Sequence, residues 1–179
     1  TIAIETDVDN KDISFIENAF TLEKTDSDTW RVGIHIADVA HYIEPDSPLD
    51  LEAKRRGTAI NLRSKALPLF PDRLIQKCSL LPGKDRRTVS IFLTINDKGE
   101  VAEAEMRPSV IKVDHLLSYQ QVQSLLGSSP ESNPELAEIV ELLKELLFNL
   151  SPRVEAQRLQ RGCFEISLPV SNPLFKGEV

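Results

Sequence analysis

The stretch Ile34-His35-Ile36-Ala37-Asp38-Val39-Ala40-His41-Tyr42-Ile43 decides how this chain is read. It continues Trp30-Arg31-Val32-Gly33, and Val32, Ile34 and Ile36 recur at the two-residue period of a strand. Asp38 then falls at the strand end, where a carboxylate ordinarily bonds a backbone turn. Upstream, Ala19 to Glu23 is a second extended apolar-rich run. Polar Lys24-Thr25-Asp26-Ser27-Asp28-Thr29 joins the two runs, so the pair reads as a hairpin.

Downstream, Pro48 opens a short helix through about Arg56, and Gly57 closes it at a carboxyl cap. Thr88 to Ile95 and Val101 to Met106 form another hairpin around Asn96-Asp97-Lys98-Gly99, a strong turn signal. Leu116 to Leu126 is predicted helical. Gly127-Ser128-Ser129-Pro130-Glu131-Ser132 then predicts a flexible connector over about 127–133. Asn133-Pro134 supplies an amino cap with proline at the first turn, opening a helix that aligns Leu136, Ile139, Val140, Leu143, Leu146 and Leu147. Such a stripe ordinarily packs on the helix's own core. The fold class expected is α/β, an α+β mixed sheet with helices.

The 179 residues carry a formal net charge of −7 and ordinary apolar and charged fractions, about one domain's worth. No apolar run approaches the ~18–20 residues of a membrane span, and no signal-like amino terminus is present. Cys78 and Cys163 are too few for a disulfide framework and lack zinc-ligand spacing, so an intracellular location is expected. Cys78 reads as a small buried residue. His35, His41 and His115 are spaced unlike any metal site, and packing explains them. Ser79 has no evident His/Asp partner for nucleophile chemistry.

Five blocks occur in one order: the Ile34–Ile43 stretch, Pro48-Leu49-Asp50-Leu51-Glu52-Ala53 through Arg56-Gly57-Thr58, Leu67-Pro68-Leu69-Phe70-Pro71 with Cys78-Ser79-Leu80-Leu81-Pro82 to Arg86, Ser109-Val110-Ile111 with Leu117-Ser118-Tyr119-Gln120-Gln121-Val122, and Arg158-Leu159-Gln160-Arg161-Gly162. Together they closely resemble the RNB catalytic domain of the RNase II/RNase R/exosome-nuclease superfamily. The resemblance implies an RNB-type ribonuclease fold and makes residues 1–179 the N-terminal portion of a single RNB domain. The family's E-E-x-M-x-x-A-N and S-P-I-R-R-Y segments, which belong to the remainder of the domain, are not in this sequence.

By the same resemblance, the function is 3′-to-5′ exoribonuclease action on single-stranded RNA by metal-assisted phosphodiester hydrolysis. In-line water attack uses paired Mg²⁺ (or Mn²⁺) ions about 3.5–4 Å apart, and such hard ions are held by clustered carboxylates. The family's D-x-D-D-A cluster supplies them, and an ungapped count from Asp38 lands on Phe15-Ile16-Glu17-Asn18-Ala19. The family's first aspartate falls on Asp9. Phe15 cannot bind metal, Glu17 keeps the charge with a longer reach, and Asn18 offers an uncharged oxygen, so two of four carboxylates are replaced. A register placing Asp7-Val8-Asp9-Asn10 on the cluster needs an eight-residue insertion and still ends in asparagine. Asp12 or Asp7 folding in as a substitute ligand is a further alternative, against a plain solvated acidic loop. The catalytic candidates implied are Asp9, Glu17 and Asn18, and the metal ligands are these with Asp12.

From Lys54 to Arg87 ten basic residues, among them Arg55, Arg56, Arg63 and Arg86, face only Asp72 and Asp85. That is the pattern of a groove tracking an RNA backbone, or of solvated charges pairing with acids elsewhere. Tyr119 matches a family tyrosine that contacts a nucleotide, whereas Leu116 departs from the arginine common there. The partners implied are single-stranded RNA, and either a protein partner or flanking RNA-binding or helicase domains in the full-length protein. Two functions follow from these replacements: an exoribonuclease domain with impaired or lost activity, or a degenerate module that binds RNA or a protein without cleavage.

Overall fold

The computed structural model describes residues 1–5, 15–26, 29–62, 65–127 and 134–166. The chain divides into two compact units, one of residues 1–38 and 78–163, the other of residues 39–77 and 164–179.

The first unit is built on a six-stranded sheet in the order β7-β6-β3-β2-β1-β8. Its strands are β1 (Ile2–Glu5), β2 (Asn18–Asp26), β3 (Thr29–Ala37), β6 (Asp85–Ile95), β7 (Val101–Lys112) and β8 (His115–Ser118). β2 and β3 form the expected hairpin, with Phe20 opposite Ile34 and Leu22 opposite Val32. β6 and β7 form the second hairpin, and β7 runs well past Met106 to Lys112. At its turn the Asn96 side-chain oxygen accepts the Lys98 and Glu100 N–H groups at 3.0 and 2.9 Å. Gly99 adopts φ +81°, and a Cβ there would run into the Arg153 backbone 2.5 Å away, so the turn admits only glycine without rearrangement.

Helices cover part of one sheet face in two clusters. Ile2, Leu117, Val122, Ile139 and Leu143 form one, with Ile4, Phe20 and Leu136 against it. Trp30, Val32, Ile95 and Leu150 form the other, with Leu22, Leu93, Leu146 and Val154. The helices are α3 (Tyr119–Gly127), α4 (Pro134–Lys144) and α5 (Ser151–Gln160), the last two joined by a π-helical turn, Glu145–Leu150.

That π turn corrects the expected stripe. An i→i+5 turn carries one more residue than an α turn, which rotates Leu147 out to 40 % exposure and brings Leu150 into the core. The helix expected over Leu116 to Leu126 is also corrected. His115–Ser118 is a strand pairing parallel with β1, and the helix begins at Tyr119. The connector expected over 127–133 lies outside the described residues except for Gly127.

The second unit holds a 3-10 turn (Ala40–Tyr42), helix α1 (Pro48–Arg56), a two-stranded ribbon of β4 (Ile60–Leu62) and β5 (Lys65–Leu67), and helix α2 (Asp72–Cys78), whose final residue belongs to the first unit. α1 has the expected bounds. Its Ser47 hydroxyl accepts the Asp50 N–H at 3.3 Å, and Gly57 at φ +72° donates its N–H to Ala53 at 2.9 Å.

Candidate functional site

One end of the six-stranded sheet gathers the chemistry-bearing residues of the first unit. β2 starts there with Asn18, which lies opposite Ile36 near the end of β3. Just before it, the Glu17 carbonyl accepts the Ala37 N–H at 2.8 Å, and the Asp38 N–H donates to the Arg87 carbonyl at 3.0 Å. β1 ends on the same side with Glu5, opposite Ser118 at the end of β8, and Tyr119 follows at once. Glu17, Asn18, Asp38, Arg87 and Tyr119 therefore share one rim, although they come from the ends of four separate strands, β2, β3, β6 and β8.

The segment before Asn18 is held from below. Ile16 is 1 % exposed, its N–H donates to the Ser79 hydroxyl at 3.0 Å, and its carbonyl accepts the Leu80 N–H at 3.0 Å. Arg86 donates through Nε to the Ser79 carbonyl at 2.9 Å and so braces the same loop. Ser79 is thus a structural support, which agrees with its lack of a nucleophile's partners. On that buried anchor, Glu17 and Asn18 stand exposed at the rim.

Tyr119 is 60 % exposed at the first position of α3. The Gln121 N–H donates to the Ser118 hydroxyl at 3.1 Å, and the Ser118 N–H donates to Gln121 Oε1 at 2.8 Å. This reciprocal capping box fixes the backbone that presents the tyrosine. An exposed ring on a rigid helix start is free to stack on a base.

His35 lies on the other side of β3 from Ile34 and Ile36 and is 2 % exposed. Its Nδ1 is 2.7 Å from the Ser90 hydroxyl and its Nε2 is 3.2 Å from the Thr21 hydroxyl, with Ser90 in turn bonded to Thr88 and Ser109. Gly33 is glycine because a Cβ there would clash with the Thr21 hydroxyl. Burial lowers the His35 pKa below its ordinary 6.5, so the folded state resists taking up a proton that the unfolded chain accepts. The stability this group contributes is therefore complete above pH 6.5 and is lost as pH falls below it. Unfolding midpoints measured down a pH series should fall below that value, and His35→Gln should flatten the fall. An equal fall in the variant would assign it to other groups.

The RNB domain family matches residues 3–178 of the chain. The chain belongs to the RNB domain family. It is 45 % identical over 157 residues to the acetazolamide conferring resistance protein zam of Synechocystis, covering 88 % of this chain and 20 % of that protein. With the Ribonuclease R of Thermotoga maritima it is 36 % identical over 155 residues, covering 86 % of this chain and 21 % of the relative. Mycoplasma genitalium RNase R in complex with double-stranded RNA superposes with a TM-score of 0.79 at 28 % identity, over 93 % of this chain and 28 % of that one. The chain thus spans about a fifth of the length of these two curated relatives.

Within this RNB fold the expected site residues divide. Glu17, Asn18, Tyr119 and Arg86 come to the same sheet end. Asp7, Asp9, Asp12 and Arg63 lie outside the described residues. Among the described residues no group of three or more His, Cys, Asp or Glu side chains is placed to hold a metal ion. The described oxygen donors at this rim are the Glu17 and Asp38 carboxylates and the Asn18 amide, with Phe15 adding none. That set does not fit a paired Mg²⁺ centre, which needs several anionic oxygens.

Arg55 and Arg56 belong to the second unit and are already engaged. Both donate to Glu52 at 2.9 Å, and Lys54 bridges Asp46 and Asp50 at 3.0 and 2.8 Å. The two guanidinium partners hold the Glu52 carboxyl down at about 2. The basic run read from Lys54 onward omits these three acids, which lie just upstream of it or at i−3 and i−4. Arg55 and Arg56 thus face less free anion-binding capacity than their count suggests.

Two contributions escape the linear sequence, the parallel β1–β8 pairing that brings Tyr119 to the rim and the Ser79 hook beneath Ile16. Ile2-Ala3-Ile4 and the Ser118-x-x-Gln121 spacing are the signals that point to the first. No helix among the described residues is long and apolar enough to cross a membrane.

Proposed function

We propose that this chain is the N-terminal portion of an RNB domain that engages single-stranded RNA and has lost efficient metal-dependent cleavage. The observation that carries this is the rim itself. The fold presents an exposed aromatic platform at Tyr119, while positions 15 and 18 hold phenylalanine and asparagine where the family resemblance implies aspartate. Grip on a strand needs stacking and charge, which survive such replacements, whereas hydrolysis needs bound cation geometry, which does not. Mg²⁺ or Mn²⁺ is weakly held, with Asp9, Glu17, Asn18 and Asp12 as the residual donor set.

The second reading, residual exonuclease activity, is favoured by the acidic segment containing Asp9 and Asp12, which supplies carboxylates near the same rim in sequence. Binding of fluorescein-labelled single-stranded RNA to the full-length protein in EDTA tests the first half of the proposal. Tyr119→Ala should weaken binding by about 5–150-fold, the loss of one stacked base. Binding indifferent to Tyr119, or absent even at low salt, would refute it. By the same proposal, either a protein partner or flanking RNA-binding or helicase domains would act with this domain in the full-length protein.

A further inference from the structure

We infer that the open end of the other sheet face carries a separate contact site for single-stranded RNA, formed by Arg31, Phe92 and Arg107; this rests on the RNA-binding reading above. The face is made by β3, β6 and β7, with Gly33 opposite Phe92 and Ser90 opposite Arg107. Both guanidiniums sit over one ring, Arg31 at 5.1 Å and Arg107 at 4.8 Å from the Phe92 centroid. The buried His35 meets the same ring edge-on at 5.7 Å and 75°, so the platform is anchored from within the sheet.

Arg31 shows that this arrangement is more than surface charge. It lies directly across from Glu23 on β2, yet among the described residues its guanidinium stacks on Phe92 and forms no ion pair. Arg107 reaches Glu105 only at 3.5 Å, long for a charge-assisted bond. Two planar cations are therefore pre-oriented by a ring with most of their N–H donors unspent. Guanidinium planes stack on bases, and their N–H edges fit phosphate oxygens in a bidentate fashion. Glu23, Glu103 and Glu105 lie on the same face by register. They oppose a duplex, whose charge density is highest, more strongly than one strand offering a base and its flanking phosphates.

The test measures binding of a labelled single-stranded RNA to the full-length protein across a salt series in EDTA. Arg31→Gln with Arg107→Gln should weaken binding about tenfold and make the slope of log K against log salt shallower by about 1.4, the value for two phosphate contacts on a single strand. Arg31→Lys with Arg107→Lys should restore the slope but not the full affinity, since lysine keeps the charge and loses the plane. Phe92→Leu should weaken binding with the slope unchanged. The inference is overturned if the glutamine variant binds RNA with wild-type slope and affinity. It is equally overturned if the variant loses only a poly-glutamate ligand, which would assign the face to an acidic protein. A wild-type protein that fails to bind RNA at low salt would instead sink the underlying RNA-binding reading.

Discussion

Asn18→Asp together with Phe15→Asp is expected to raise both Mg²⁺ affinity and RNA cleavage by the full-length protein, the latter by at least about 100-fold. Asn18 begins β2 opposite Ile36, and Ile16 beside it is clamped by Ser79 and Leu80, so a restored carboxylate would emerge from a fixed backbone. The single changes should each give much less, because ligands to one metal centre act as a set and their effects do not add. Metal titration and product analysis on labelled RNA read the two effects separately. If the double change moves neither, the count from Asp38 misplaces the site.

The largest structural effect is expected at Trp30. It is 1 % exposed, fills the cluster with Val32, Ile95 and Leu150, and donates Nε1–H to Glu145 at 2.7 Å. Lys24 and Arg153 stack on its ring at 5.3 and 5.1 Å, so the indole joins β3 to the π turn and α5. Trp30→Ala should cost about 3–5 kcal/mol, through lost burial and the cavity left behind. Trp30→Phe should cost about 1–2 kcal/mol, chiefly the bond to Glu145. Hydrogen exchange of the β3 and β6 amides in the full-length protein measures both, and unchanged protection in Trp30→Ala would contradict this account of the core.

Much of the architecture was legible locally. The period-two pattern of Val32, Ile34 and Ile36, the Asn96–Gly99 turn and the Pro48 and Gly57 helix boundaries each follow from short-range physics, and the structure has them. What escaped is non-local. Leu116 and Leu117 read as the start of a helix because their partners in β1 lie more than a hundred residues away. Leu147 looked like core because nothing in an i, i+3, i+4 pattern announces a π turn. Ile34 and Ile36 share a face with buried Val32 yet are 36 and 41 % exposed, since the helices reach only one half of that face.

The site followed the same division. Counting back from Asp38 matched Glu17 and Asn18 to the family's aspartate cluster, and it is the strand topology, not the count, that puts them at the sheet end where Tyr119 also arrives. The ion pairing of Arg55 and Arg56 with Glu52 was within reach of sequence, being i+3 and i+4 contacts on one helix. Arg31 on Phe92 was not, because it depends on strand register rather than on any motif.

A fold that holds RNA while its altered cluster has lost efficient hydrolysis separates binding from cleavage. The most direct measurement incubates the full-length protein with 5′-labelled single-stranded RNA, first with Mg²⁺ and then with Mn²⁺, and resolves binding and product length on parallel gels. The expected result is RNA that shifts with the protein and keeps its length. Processive shortening to a small end product would contradict it and would make Asp9, Glu17 and Asp12 a working ligand set despite Phe15 and Asn18.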